Sequence, residues 1–197
     1  PQHGTHAREG GGGREPDGPS LVAIGSGAAP KFTIDEGKTW LRAPAVCDQA
    51  ISFGGVGQRG GLVYGNGIFV VMDSNGQYCS TADYGLNWSG GQLSGENVGI
   101  GGKVHFAGSY FWAMAGSHAF RSQDGRNWER VDFLPSGLSI HLIARSEKGT
   151  YVGIDRSSSS FYRSTDGINW EFVATHQNGL SLSRLLFGYA KPSPQCP

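Results

Sequence analysis

The chain has 197 residues, 38% of them hydrophobic, enough to bury the core of one domain. Sixteen Lys and Arg balance sixteen Asp and Glu, which removes any general attraction to nucleic acid or to an anionic membrane surface. No apolar run approaches the roughly 20 residues that cross a bilayer, and 33 glycines beside 11% aromatic residues suit short strands and tight turns rather than helices.

The chain opens on Pro1 rather than Met and is read as a processed product or a piece of a longer one. Residues 1–19 hold hardly any apolar side chains and are expected to be a disordered glycine-rich tail. His3 and His6 do not make a metal site there. From residue 20 the pattern changes to short strands. S-L-V-A-I-G, P-K-F-T-I-D and T-W-L-R-A-P give three strands of a first unit. Residues 55–60, G-V-G-Q-R-G, match a dinucleotide fingerprint in letters only; a strand, G-L-V-Y-G, follows where a helix is required, so no cofactor is expected. The second unit is then G-L-V-Y-G, I-F-V-V-M-D, Q-Y-C-S-T-A-D and L-N-W-S-G-G. The third runs from K-V-H-F-A-G-S to N-W-E-R-V-D, and the fourth from H-L-I-A-R to N-W-E-F-V-A. Each of these three is four strands rich in β-branched and aromatic residues, joined by Gly, Asn, Asp and Ser. Residues 183–190, S-R-L-L-F-G-Y-A, read as one more strand, and 191–197 as an irregular C-terminal tail.

One box recurs near the end of every unit: T-I-D-E-G-K-T-W, T-A-D-Y-G-L-N-W, R-S-Q-D-G-R-N-W and R-S-T-D-G-I-N-W, with its tryptophans 48, 40 and 42 residues apart. That period marks a propeller blade. The expected fold is all-β: a small β-propeller over residues 20–190, with four blades of four-stranded antiparallel meanders. The surplus strand at 183–190 is expected to complete the short first blade and close the ring. Within the box, Asp and Ser or Thr tie down the turn, Gly supplies a positive φ, and Trp pins the next strand by burial. The boxes resemble the Asp-box, or BNR repeat, of sialidases and other propellers. Thr33, Asp35, Gly37 and Trp40 match its pattern, as do Thr81, Asp83, Gly85 and Trp88. Ser122, Asp124, Gly125, Trp128 and Ser164, Asp166, Gly167, Trp170 lack one residue between Asp and Gly, which predicts a tighter turn. The resemblance implies that these residues are structural, away from an active face, and that the protein works outside the cytoplasm, extracellular or periplasmic. The Arg-Ile-Pro motif of sialidases is absent.

No residues are expected to be catalytic, and His105, His118, His141 and His176 are too scattered for a metal site. If each blade's first strand lines a central channel, Arg59, Lys103, His141 and Arg184 form a basic rim able to hold an anionic ligand. Trp112 is the one indole outside the boxes and a candidate for stacking on a sugar, beside Tyr110, Tyr151 and Tyr162; core packing is the competing role. For Cys47, Cys79 and Cys196 the expectation is buried separate thiols, with a Cys47–Cys79 bridge kept open. The sequon Asn87-Trp88-Ser89 contains a box tryptophan and is not expected to be modified. The function expected is a monomeric, non-catalytic recognition module whose partner is a glycan or a protein. The alternatives are a glycoside hydrolase of sialidase-like type and a structural or assembly scaffold.

Overall fold

The structure is a computed structural model that describes residues 20–25, 28–44, 47, 61–93, 104–175, 182 and 184–188. Its strands fall into four consecutive antiparallel meanders. The first contains β1 (Leu21–Gly25), β2 (Ala28–Thr33) and β3 (Leu41–Arg42). The second contains β4 (Gly61–Gly65), β5 (Ile68–Met72), β6 (Gln77–Thr81) and β7 (Ser89–Gln92). The third contains β8 (Val104–Ala107), β9 (Tyr110–Met114), β10 (His118–Ser122) and β11 (Glu129–Asp132). The fourth contains β12 (Ile140–Arg145), β13 (Tyr151–Asp155), β14 (Ser160–Ser164) and β15 (Glu171–Thr175). These sheets are the blades of a small all-β propeller, as the repeat predicts.

Blade position decides which strands are apolar on both sides. Phe111, Trp112, Ala113 and Met114 of β9 are all buried, because a blade lies against each face of the sheet. The chain therefore reads there as an unbroken hydrophobic run rather than an alternating one. At the end of the series β15 is exposed along its whole length. The cores fill the joints between blades. Phe32, Val71 and Trp88 occupy the first joint. Val70, Phe111 and Phe120 fill the second, and Trp112, Ile140 and Trp170 the third. Hairpin turns match their sequences: Asn66 and Gly67 both take positive φ, 49° and 76°, as the two-residue turns that fit strand twist require. The Asn66 amide then donates to the Ser109 carbonyl (3.3 Å) in the equivalent turn of the next blade.

Two expectations are corrected. Cys47 and Cys79 are joined in a disulfide, not separate thiols; their Cα atoms lie 5.7 Å apart, and the bond ties the segment after the first blade to β6. Fold proximity, invisible at a sequence separation of 32, brings the two together. Residues 184–188 lie in no strand, and Leu186 is 84% exposed. The first blade has three strands among the described residues. Leu, Leu and Phe confer strand propensity, but a strand exists only where a neighbouring edge takes up its hydrogen bonds. The tails expected at 1–19 and 191–197, the loop at 55–60 and Cys196 lie outside the described residues.

Candidate functional site

The four boxes connect the last two strands of their blades, and all share one hydrogen-bond plan. The Thr33 hydroxyl donates to Asp35 Oδ1 (2.7 Å) and accepts from Gly37 N–H (3.0 Å). Thr39 N–H reaches Asp35 Oδ1 and the Thr39 hydroxyl Oδ2 (2.9 and 2.6 Å). Thr81, Asp83, Gly85 and Asn87 repeat this plan. The side chain just before the tryptophan is thus a fifth member of the box that its four-letter pattern leaves out. The shortened boxes differ as predicted. Glu36 and Tyr84 occupy the extra position at positive φ, 59° and 63°. In the third and fourth boxes that residue is gone, and the glycine alone turns the chain.

These bonds set the charge of the box carboxylates. The side-chain and backbone hydrogen bonds from Thr39 hold Asp35 at about 2. Burial would raise Asp124, but the N–H groups of Asn127 and Arg126 outweigh it and hold that carboxyl at about 2 as well. Asp166 is held still lower against its burial, chiefly by Asn169. Groups bound in this way are fixed anions, unsuited to acid catalysis.

Beside the two shortened boxes lie clefts at corresponding positions of blades 3 and 4, with volumes of about 470 and 530 Å³. Arg121, Ser122, Asn127, Trp128 and Glu129 line the first; Arg163, Ser164, Asn169, Trp170 and Glu171 line the second. Tyr110 in one corresponds to Thr150 in the other, and Leu134 and Pro135 add a wall to the second. Strand pairing places the Arg and Glu of each cleft side by side: Arg121 opposite Glu129 and Arg163 opposite Glu171. Each pair forms an ion pair. Arg121 is held further by its guanidinium lying 4.9 Å from the centre of the Tyr110 ring. The shorter turn also changes the indoles. Trp88 Nε1 donates to the Gly85 carbonyl (2.8 Å), whereas Trp128 Nε1 and Trp170 Nε1 are buried without an acceptor among the described residues. The clefts therefore combine donors and acceptors without a large net charge, and the first adds the half-buried Tyr110 and Trp128 rings, whereas Trp170 of the second is buried. The motif R-S-x-D-G-x-N-W-E, at 121–129 and 163–171 and in neither longer box, marks them in the sequence.

The structure distributes the other candidates differently. Arg59 and Lys103 lie outside the described residues. His141 is half-buried with Nδ1 2.9 Å from the Ile154 carbonyl, and Arg184 is exposed outside any strand. Trp112 is corrected to a core residue. It is fully buried, its Nε1 donates to the Ala107 carbonyl (3.0 Å), and the Tyr151 ring meets it edge-on at 5.8 Å. No face is left for a sugar. Asn87 of the sequon spends its amide on Asp83 Oδ2 (2.6 Å). No helix among the described residues is long and apolar enough to cross a membrane, and no cluster of three or more His, Cys, Asp or Glu among them could hold a metal ion.

No family model matches the sequence, and no curated protein does. Solved structures do match in fold. A structure of YCF48 bound to D1 peptide is 18% identical with a TM-score of 0.50, over 78% of this chain and 49% of that one. YCF48 from Cyanidioschyzon merolae is 17% identical with a TM-score of 0.51, over 80% and 52%. The GH74 enzyme of Niastella koreensis is 17% identical with a TM-score of 0.50, over 79% of this chain but 24% of its own. The chain thus spans about half the length of the YCF48 chains it matches.

Proposed function

We propose that this protein is a non-catalytic recognition module of the Asp-box propeller type that binds a protein partner through the clefts of blades 3 and 4. One observation carries the reading. The same Arg and Glu pair flanks the same indole twice, in open concavities of a size that accepts a few residues of an extended chain. A peptide alternates N–H donors, carbonyl acceptors and side chains, and a cleft with a guanidinium, a carboxylate and a ring face answers each in turn. The YCF48 structure bound to a peptide supports such use of a related fold. The Cys47–Cys79 disulfide supports an oxidising compartment, extracellular or periplasmic.

A glycan partner is the second reading, favoured by the Tyr110 ring, half-buried at the rim of the first cleft. The hydrolase alternative gains no support at the clefts. Every oxygen of Asp124 is hydrogen-bonded, and Glu129 is paired with Arg121.

The test is selection from a displayed peptide library and, in parallel, a glycan array. Selected peptides should lose about ten-fold or more in affinity on Arg121→Ala, as an anchoring contact requires. Arg130→Ala should leave affinity unchanged, since that residue pairs with Asp132 outside the cleft. Binding to glycans alone would establish the second reading. Peptide binding indifferent to Arg121 and Arg163 would sink the cleft assignment.

A further inference from the structure

The first strand of each blade ends at a turn, and the residue that closes the ladder there is small in blades 1 to 3. Gly25 pairs with Ala28, Gly65 with Ile68 and Ala107 with Tyr110, but in blade 4 the pair is Arg145 and Tyr151. The shared plan of the blades therefore does not require an arginine at that place. Arg145 is half-buried, and its guanidinium lies 5.2 Å from the centre of the Tyr151 ring, a contact that favours a cation. Gly108, in the corresponding turn of blade 3, makes room for both side chains. A Cβ on it would lie 2.2 Å from the Tyr151 hydroxyl and 2.3 Å from Arg145 Cδ. Arg145 thus lies across the joint between blades 3 and 4, with a blade on each side of it.

The donors gathered at this joint lack acceptors. Arg121, Arg130 and Arg163 each pair with a carboxylate. Arg145 makes no ion pair and no hydrogen bond among the described residues, and its Nε is buried without an acceptor. The Tyr151 hydroxyl makes no hydrogen bond among them either, and burial raises its pKa, so it stays protonated and able to donate. The Asp166 carboxylate acts on Tyr151 from a distance, but both its oxygens are bound within its own box. The joint also lies between the two clefts. Tyr110, which lines the first cleft, interacts with Tyr151. On the other side a Cβ on Gly149 would lie 3.3 Å from Arg145 Nη2, and Thr150, the next residue, lines the second cleft. Leaving a partly desolvated cation and a phenol unpaired is costly. A carboxylate satisfies both, with one oxygen for the guanidinium and one for the hydroxyl, and its charge strengthens each bond.

We propose that Arg145 and the Tyr151 hydroxyl form a carboxylate-binding site on the joint of blades 3 and 4. Two sources carry that chemistry: an acidic residue of a polypeptide that crosses from one cleft to the other, and a free small carboxylate. The first source rests on the cleft reading given above. The site itself does not.

The experiment follows the Arg145 Nε–H resonance of the full chain by NMR, assigned by its loss in Arg145→Gln. Acetate is the probe and acetamide the comparison, at an ionic strength held constant with chloride. The expected result is a saturable shift with acetate, with a dissociation constant in the millimolar range usual for so small a ligand. Acetamide should bind about ten-fold or more weakly, since it lacks the charge. Tyr151→Phe should weaken acetate about three- to ten-fold, the loss of one hydrogen bond. Arg130→Gln, which gives up only its pair with Asp132, should change nothing. No saturable shift, equal binding of acetamide, or an acetate affinity unmoved by Tyr151→Phe would overturn the proposal. Peptides selected on the clefts then decide the source. An acidic residue whose change to its amide costs about ten-fold in wild type, and nothing further in Arg145→Gln, makes the carboxylate the partner's own. Peptides indifferent to Arg145→Gln, beside a positive acetate result, assign the site to a free carboxylate. Acetate binding together with peptides indifferent to Arg121 and Arg163 would remove the cleft reading and leave this site standing.

Discussion

Replacing Gly167 by alanine isolates what a blade joint contributes. Gly167 takes φ 78°, and a methyl group there would lie 2.7 Å from Cη2 of the fully buried Trp112. Gly116, in the turn between β9 and β10, takes nearly the same φ, 77°, but a methyl group would meet nothing within 4 Å. The left-handed conformation costs an alanine roughly 1–2 kcal/mol at either site. At Gly167 the Trp112 ring cannot swing away, because its Nε1 is bonded to Ala107 and its edge is packed on Tyr151. Overpacking therefore adds about 1–3 kcal/mol there. The difference between Gly167→Ala and Gly116→Ala should accordingly be about 1–3 kcal/mol, or roughly 2–12 °C in melting temperature for a chain of this size. Urea and thermal unfolding followed by circular dichroism measure it, and the near-ultraviolet band of Trp112 should change only in Gly167→Ala. Equal losses in the two variants would refute the claim that the box glycine is required by the neighbouring blade and would leave only its φ to explain it.

Acid should unfold the protein through its turn carboxylates. Asp35, Asp124 and Asp155 sit at about 2 in the folded chain, below an unfolded value near 3.9. Their contribution is therefore complete above that value and lost as pH falls through the folded ones. The melting temperature should be level down to about pH 5 and decline steeply between about pH 4 and 2; Asp124→Asn should make the decline shallower. Asp73 directly follows β5 and Asp155 ends the equivalent strand β13, yet the two should titrate in opposite directions. Burial raises Asp73, whose Oδ2 has no partner among the described residues, whereas Asp155 Oδ2 accepts from Ser139 N–H (2.5 Å) and Oδ1 from Ser157 and Ser158. Carboxyl-carbon NMR titration reads both, and Asp73 titrating below 3.8 would contradict the burial argument. Reducing the disulfide, or replacing Cys47 and Cys79 by serine, frees a loop spanning 32 positions and should cost about 3–4 kcal/mol. Differential scanning calorimetry of both forms checks this, and an unchanged midpoint would show that the bond constrains nothing in the unfolded chain.

The amino-acid sequence determined the blade. Alternating apolar residues, Asn-Gly and Asp-Gly turns and a box repeated every forty-odd residues are local signals, and strands, hairpins and turns answer to local rules. The box hydrogen bonds span four residues or fewer, so their type and even the shorter turn of the third and fourth boxes follow from spacing alone. The flanking Arg and Glu of R-S-x-D-G-x-N-W-E were equally present in the chain, but their pairing needs the register of two strands to bring residues eight apart face to face. What only the tertiary structure decided lies in the joints. Phe32 covers Gly85, Trp112 covers Gly167, and Cys47 reaches Cys79 because one blade stacks on the next. Trp112 stands in the sequence between two roles, stacking on a sugar and core packing, and proves to be the wedge of a joint. Trp40 reads as one box tryptophan among four and is the one most exposed. Burial depends on what lies across the seam, and no local pattern records a neighbour that arrives from another blade.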